Sequence, residues 1–546
     1  MALNLIKLFK KTYIWVLLGL FFVVYRLPLL GFDIVNTDAP IWKTRTFQFA
    51  SALASFKFKD TAVTYHPGVT LMWLSTVGLK LYKLLGGLLF SSDLATVKGY
   101  VGLHFFQKFS LILFLGFVLV FSLYIIYKLW GKTFALSFFF LFTFEPYVLG
   151  LTRVLHTDAI VGFLLFSSLL SLYYYMQFSK LTSYQALKWL FVSSFFAGLA
   201  VLTKSNSLFI FPFSGLLLFL ILFSKDLRFI KKMFSIYFVW LLGVLLFAFL
   251  FWPALWVAPL ETLKLYYSGI TGIGFEEHLQ SWFGIEVANP GPLFYPIVLL
   301  IRLTPWALLF SLSGIGLFLL EVFKYKKINK FYLSSFLFII LYLIMLTIPD
   351  KKLGRYAFPV LPFVFLFASL FLTHFIRACV KPAYYYKTVI TSFLLIFALN
   401  FFSTFSFFPD YLFYYSPIVK GYTGGSRIEE PKWPLGYSKL ARYLNSLPNA
   451  KNRLVLVRYG YLFAPFYVGK SGTLSQQTEK DPGVYFVLEK YSDFRYLRGK
   501  SVVLRKVMKI DGVEYFWIYE IVGDTTAGKN EKFHFYKGYS IDERYK

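Results

Sequence analysis

Long apolar runs alternate with short clusters of Lys and Arg along most of this chain, and that pattern leaves few folds open. A run of about 20 apolar residues crosses a bilayer as a helix, because only a helix or a closed barrel satisfies its backbone there without water. We read about eleven such runs, at roughly 12–30, 104–129, 134–150, 158–178, 186–203, 206–224, 233–252, 305–323, 331–348, 356–377 and 386–405. Composition agrees: 58% of the residues are hydrophobic, beyond what a soluble domain carries.

The basic clusters set an orientation. Lys7, Lys10 and Lys11 precede the first run. Lys128 and Lys132, Lys180 and Lys188, Lys225 to Lys232, Lys324 to Lys330, and Arg377 to Lys387 fall between later runs, all on the same side. An excess of Lys and Arg marks the cytoplasmic side. The expected protein is a multi-pass protein of the plasma membrane, with its N-terminus inside and its C-terminal tail outside. The net charge of +29 is then a topology signal, and nucleic acid is not an expected partner. No small-residue cleavage site follows the first apolar run, which reads as an uncleaved span rather than a signal peptide. The single cysteine, Cys379, leaves no internal disulfide and no Cys-based metal site.

Three outer segments are long. The first (31–103) holds an apolar piece at 69–90 behind Pro67; Lys80, Lys83 and several glycines interrupt it, so we place it on the membrane surface. The second (253–304) carries Glu261, Glu276, Glu277, His278 and Glu286 and a further surface helix at 293–303. The third is the tail from 406, about 140 residues and large enough for its own core. Strand-like runs at 453–458, 484–488, 502–507 and 515–522 and a helix at 436–446 predict a small α/β domain there. The domains expected are thus 1–405, transmembrane, and 406–546, extracytoplasmic.

Ionisable residues at a membrane rim are costly unless used, and those of this chain gather on the outer side. Asp33 and Asp38 follow the first span. Asp38 precedes Ala39-Pro40, so it is either a helix cap or a general base that takes a proton from an attacking hydroxyl. His66, in Tyr65-His66-Pro67-Gly68, is either structural or a ligand for phosphate or sugar. Arg153, His156 and Asp158 lie within seven residues between two apolar runs; Asp158 caps a helix or serves the site, and Arg153 has the planar fork that suits phosphate. Lys204, in Thr203-Lys204-Ser205-Asn206, either snorkels to the interface or holds an anion. Lys351, Lys352 and Arg355 are outer cations that run against the positive-inside bias. Together Arg153, Lys204 and Arg355 suggest one shared anionic ligand, such as a lipid-linked phosphate. The chain has no Walker loop, no Gly-rich dinucleotide fingerprint after a strand and no HExxH, so ATP-driven transport and zinc proteolysis have no support.

The ordered set TDAP, YHPGV, TRVLHTDA, LTKSN, WPALW and GRYAFPVLP resembles the GT-C superfamily of integral-membrane glycosyltransferases. It is most similar to bacterial relatives of the protein O-mannosyltransferases and of the aminoarabinose transferase that modifies lipid A. The resemblance covers roughly residues 10–405. It implies a mostly α, polytopic GT-C-like fold, a polyprenyl-phosphate-linked sugar donor and inverting transfer to a protein, lipid or glycan acceptor on the outer face. It implies Asp38 as catalytic base, although the relatives carry Asp-Glu where this chain has Asp38-Ala39. Asp158 matches a second acid, Arg355 an arginine at the donor phosphate, and Lys204 a basic position in the matching hairpin. His66, His156 and Asp33 are expected to position donor or acceptor. No cofactor is expected; some relatives use a divalent cation, and nothing in this sequence supports one.

One base plus cations is a sufficient kit, since a phosphate leaving group needs no general acid when Arg and Lys take up its charge. Glycoside hydrolysis, by contrast, needs two facing carboxylates. Two rivals are a flippase of lipid-linked saccharides, which would place charges at mid-membrane and show repeated halves, and a non-enzymatic assembly protein acting through its tail. The orientation is directly testable. In a Cys379→Ser background, Ser224→Cys should react with an impermeant maleimide only after the membrane is opened, and Ser446→Cys should react in intact cells. The opposite pattern inverts the topology.

Overall fold

Hydropathy decides which helices cross, and small residues decide where they meet. The computed structural model describes residues 2–522 apart from 34, 274–278, 380, 432, 476–481, 490 and 511; Glu276, Glu277 and His278 lie outside the described residues. Among the described residues nine helices are long and apolar enough to cross a membrane: Val97–Trp130, Asp158–Tyr175, Tyr184–Thr203, Ser205–Leu222, Arg228–Phe251, Pro305–Phe323, Lys330–Thr347, Gly354–Ala378 and Pro382–Phe405. Each contains or overlaps one predicted run. The first run belongs to the helix Ala2–Tyr25, whose apolar part is the shorter stretch Tyr13–Tyr25.

The run 134–150 is not the straight span expected. It forms two helices, Lys132–Thr143 and Pro146–Thr152, bent by 71°. Pro146 cannot continue a helix, because it lacks an N–H and crowds the preceding turn, yet it suits the first position of a new one. Glu145, buried at the bend, accepts from the Thr304 N–H and the Thr304 hydroxyl, each at 2.8 Å. The bend is thereby tied to the start of Pro305–Phe323.

Asp158–Tyr175 is the central helix: 89% of its apolar window is buried, against 22% for Arg228–Phe251 and for Pro305–Phe323. Small residues explain its place, since they let neighbouring helices come close. The Ser167 and Ser122 hydroxyls lie 2.7 Å apart, and Ser168 donates to the Ser193 carbonyl at 2.8 Å. Gly162 packs so closely that a Cβ there would stand 2.5 Å from the Phe358 ring. That contact lays the turn Gly354–Val360 along the central helix and sets Arg355 beside Asp158.

The outer segments follow the expected helices. Val69–Leu89 packs on Val97–Trp130, with Gly78 against the backbone of Gln107. Its entry is fixed by Gly68, which has φ +52°, lies against the Trp42 ring and donates its N–H to the Thr203 carbonyl at 3.2 Å. The second outer segment holds the helix Pro259–Ile273, a hairpin of β1 (Gln280–Trp282) and β2 (Ile285–Val287), and the helix Phe294–Arg302. In the tail, the helix Tyr437–Asn445 and the strands β3 (Leu454–Val457), β5 (Tyr485–Leu488), β6 (Val502–Ile510) and β7 (Val513–Ile521) occupy the predicted runs. A further strand, β4 (Lys470–Thr473), completes a mixed sheet of order β4-β3-β5-β7-β6. One buried apolar cluster runs from the spans through Phe407 and Phe413 to Tyr485, Val487 and Phe516, so the sheet is docked on the bundle.

The joint between the first helix and the bend is polar and buried. Arg26 donates from Nε to Thr152 Oγ1 at 2.8 Å and from Nη2 to the Thr143 carbonyl at 3.0 Å. Arg153 donates from Nη1 to the Arg26 carbonyl and from Nη2 to the Pro28 carbonyl, both at 3.0 Å, and from Nε to Asp33 Oδ2 at 3.1 Å. Lys108 Nζ donates to Asp33 Oδ1 at 2.7 Å, and the Gly31 N–H reaches the same oxygen at 3.0 Å. Removing one partner of a buried pair strands the other, at a cost of about 3–5 kcal/mol. Arg153→Met should therefore lower the Tm of the detergent-solubilised protein by several degrees, and Arg153→Lys should not restore it, because an ammonium cannot span these three acceptors.

Candidate active site

Asp38 stands at the N-terminus of the helix Ala39–Ala54, with Pro40 just inside, but its carboxylate caps no helix N–H. It faces cationic groups instead. Asp38 Oδ2 lies 3.3 Å from His156 Nε2 and 3.5 Å from Arg355 Nη2. The other ring nitrogen of His156 lies 2.9 Å from Asp158 Oδ2, and Arg355 Nε lies 3.2 Å from that same oxygen. Lys204 Nζ donates to Asp158 Oδ1 at 2.6 Å. Asp158 is thus the hub and Asp38 the outer member, a third exposed where Asp158 is buried.

Local structure explains each placement. Asp158 opens the central helix, so its carboxylate meets the partial positive charge of that end as well as three side chains. Lys204 lies at the turn between Tyr184–Thr203 and the next span; it folds inward over the Tyr356 ring, 3.8 Å from its centre, and does not snorkel outward. Arg355 projects from the turn that Gly162 admits. Burial alone would push the Asp38 carboxyl up, but the hydrogen bond and charge of His156, with Arg355, hold it well below the usual carboxylate range. His66 sits at the margin, half-buried. Burial, then the charges of Lys204, Arg45, His156 and Lys351, push its imidazole down to about 4, so it is a neutral ring in a positive setting at neutral pH.

Five of the eight expected residues therefore meet in one cluster: Asp38, His156, Asp158, Lys204 and Arg355. Arg153 and Asp33 do not. The expectation that Arg153 binds phosphate is corrected by its surroundings: it is buried, with Nε, Nη1 and Nη2 all committed to Asp33 and two carbonyls. Asp33 is likewise buried beneath the site, between Arg153 and Lys108. Lys352 also turns away, donating to Asn289 Oδ1 at 2.9 Å and to the Pro349 carbonyl at 2.7 Å. Two aromatic residues join that the candidate list lacked. Tyr356 adjoins Arg355 in sequence and was within reach. Trp433, from the tail, lies 4.2 Å from the Arg355 guanidinium, and no motif around it signals this. Among the described residues no group of three or more His, Cys, Asp or Glu is disposed to hold a metal ion; the acids face cations.

A multi-span helical bundle with a docked sheet domain is a fold already known. Two solved structures show it. ArnT from Cupriavidus metallidurans in the apo state is 13% identical in sequence, with 94% of this chain and 98% of that one covered at a TM-score of 0.50. The same ArnT bound to undecaprenyl phosphate is 12% identical, with 94% and 99% covered, again at 0.50. At such identity the likeness is one of fold. No family model matches the sequence, and no curated protein does.

The geometry makes a pH test of the cluster. The Asp38 carboxylate, held ionised by His156, loses that support in His156→Gln, so its pKa rises. The acid limb of any activity of the cluster should then move to higher pH, and an unmoved limb would separate His156 from Asp38.

Proposed function

We propose that this chain is an inverting glycosyltransferase that moves a sugar from a polyprenyl-phosphate donor to an acceptor hydroxyl on the outer face of the membrane. The observation that carries the reading is the convergence of Asp38 with Arg355, Lys204 and His156 around Asp158, at the ends of membrane helices where a lipid headgroup lies. The neighbour in fold that was solved with undecaprenyl phosphate supports the class of donor.

In this reading Asp38 takes the proton of the acceptor hydroxyl, and that oxygen attacks the anomeric carbon from the side opposite the phosphate. The bond from that carbon to the phosphate oxygen breaks, its electron pair leaves with the phosphate, and the configuration inverts. Arg355 donates from Nη2 to Asp38 and is ion-paired with Asp158, and Lys204 commits one of its three N–H groups to Asp158; donors remain on both to take up the charge of the leaving phosphate. His156, with a carboxylate at each ring nitrogen, orients Asp38 toward that space. His66, neutral, offers a hydrogen bond rather than a charge. Residues up to 405 supply the acid and the cations, and the described residues of the tail, which end at 522, the outer cover.

The test uses full-length protein in nanodiscs with polyprenyl-phosphate sugars. Asp38→Asn should lower kcat by about 10²–10⁴-fold while the protein remains folded. Lys204→Ala should chiefly raise the KM for donor. Undiminished transfer by folded Asp38→Asn removes Asp38 from the mechanism. Comparing surface glycans, lipids and proteins of cells with and without the gene, by mass spectrometry, identifies the acceptor.

A further inference from the structure

We propose that Trp433, carried by the tail, is a positioning residue of the active site, and that residues 428–431 and 433–435 form one of its walls. The proposal rests on the glycosyltransferase reading. Its observations are separate: they concern what holds Arg355 and His156, not what those residues do.

Trp433 is 6% exposed. The Arg355 guanidinium carbon lies 4.2 Å from the centre of its ring, within cation–π range. The His156 ring lies 5.3 Å away at 63°, an edge-to-face arrangement. One indole therefore touches both groups that face Asp38. Arg355 is gripped at its edge by two acids and on its face by Trp433. A guanidinium on a flexible stem has several rotamers, and a flat aromatic wall removes most of them.

The wall is itself anchored. Glu429 Oε2 accepts from Arg302 Nε at 3.0 Å, and the Glu429 carbonyl accepts from the Tyr415 hydroxyl. The Ile428 carbonyl accepts from the Phe283 N–H at 3.0 Å, and Trp282 bridges Glu429 as an antiparallel pair. A Cβ at Gly354 would stand 2.5 Å from Glu429 Oε1. The residue before Arg355 thus lacks a side chain at the point where the tail presses on its backbone. A small cavity lies between the two parts, lined by Tyr147, Arg302 and Arg355 on one side and by Glu429, Pro431 and Trp433 on the other.

The groups that face Asp38 are His156 and Arg355, the Trp433 indole, which hydrogen-bonds it, and at longer range Arg45 on its own helix and Tyr461 from the tail. Loosening the first two removes positive charge from its surroundings. In full-length protein, Trp433→Ala should therefore lower kcat/KM about tenfold per folded molecule, shift the acid limb of the rate to higher pH and weaken undecaprenyl phosphate binding several-fold. Trp433→Phe keeps a ring against both partners but not the indole N–H that supports the Asp38 carboxylate, so it should recover most of the phosphate affinity and only part of the shift in the acid limb. Gly354→Ala, which displaces Glu429 without changing Arg355, should move the acid limb the same way. A purely packing role would lower the yield of folded protein and leave the limb and the phosphate affinity of the folded fraction unchanged; that result overturns the proposal. If Asp38→Asn abolishes transfer while Trp433→Ala behaves as wild type, only the role of Trp433 fails. If no sugar donor is used at all, the glycosyltransferase reading fails, and the binding of undecaprenyl phosphate alone decides for or against the wall.

Discussion

The rest of the cluster depends on a carboxylate that lies outside it. Asp33, buried between Arg153 and Lys108, joins the loop after the first helix to the bend at 143–153 and to the long helix Val97–Trp130. Burying three ionised groups is expensive, and the cost is met only when every donor and acceptor finds a partner. Here the Arg26 and Pro28 carbonyls and the Gly31 N–H complete the set. The pairing fixes the chain five residues before Asp38 and, through Arg153, three residues before His156. The distance between those two side chains is therefore set from below.

Above that joint the active-site charges are nearly balanced. Two carboxylates face Lys204, Arg355 and the His156 ring. Such a cluster is stable at a bilayer rim because no charge in it is left alone. The Arg355 guanidinium and the Lys204 ammonium keep further N–H donors for one more negative charge. A phosphodiester brings one. The N-terminus of the central helix, pointing the same way, favours anions as well.

Most of this was legible in the sequence where hydropathy or chemistry speaks locally. The spans appear as apolar runs, and Asp38, Asp158, Lys204 and Arg355 appear as ionisable residues at their outer ends. Direction is what the sequence conceals. Arg153 and Arg355 look alike on paper, yet one turns down onto Asp33 and the other up to the acids; only the bend at Pro146 and the close contact at Gly162 decide it. Pro146 could have been read as a break, but the apolar run continues across it. The strand β4, Lys-Ser-Gly-Thr, has no apolar alternation to betray it. Trp433 lies in a polar, Pro-flanked stretch beyond the last span, and its partners are 78 and 277 residues away in sequence.

That last point changes what the boundary near residue 405 means. The parts of the cluster come from positions 38, 156, 158, 204 and 355, and Trp433 comes from the tail. The acids and cations meet within the bundle, where Asp158 pairs with groups from three separate stretches of chain. Those pairs are made between residues of the bundle alone. The face of Arg355, however, is covered only when the tail docks, and docking fastens the segment through Glu429 to Arg302 and through Ile428 to the hairpin β1–β2. The composition shift at the end of the last span is thus a boundary of solvent, membrane against water. It is not a boundary of the cluster's contacts, since Trp433 of the tail lies on Arg355 of the bundle.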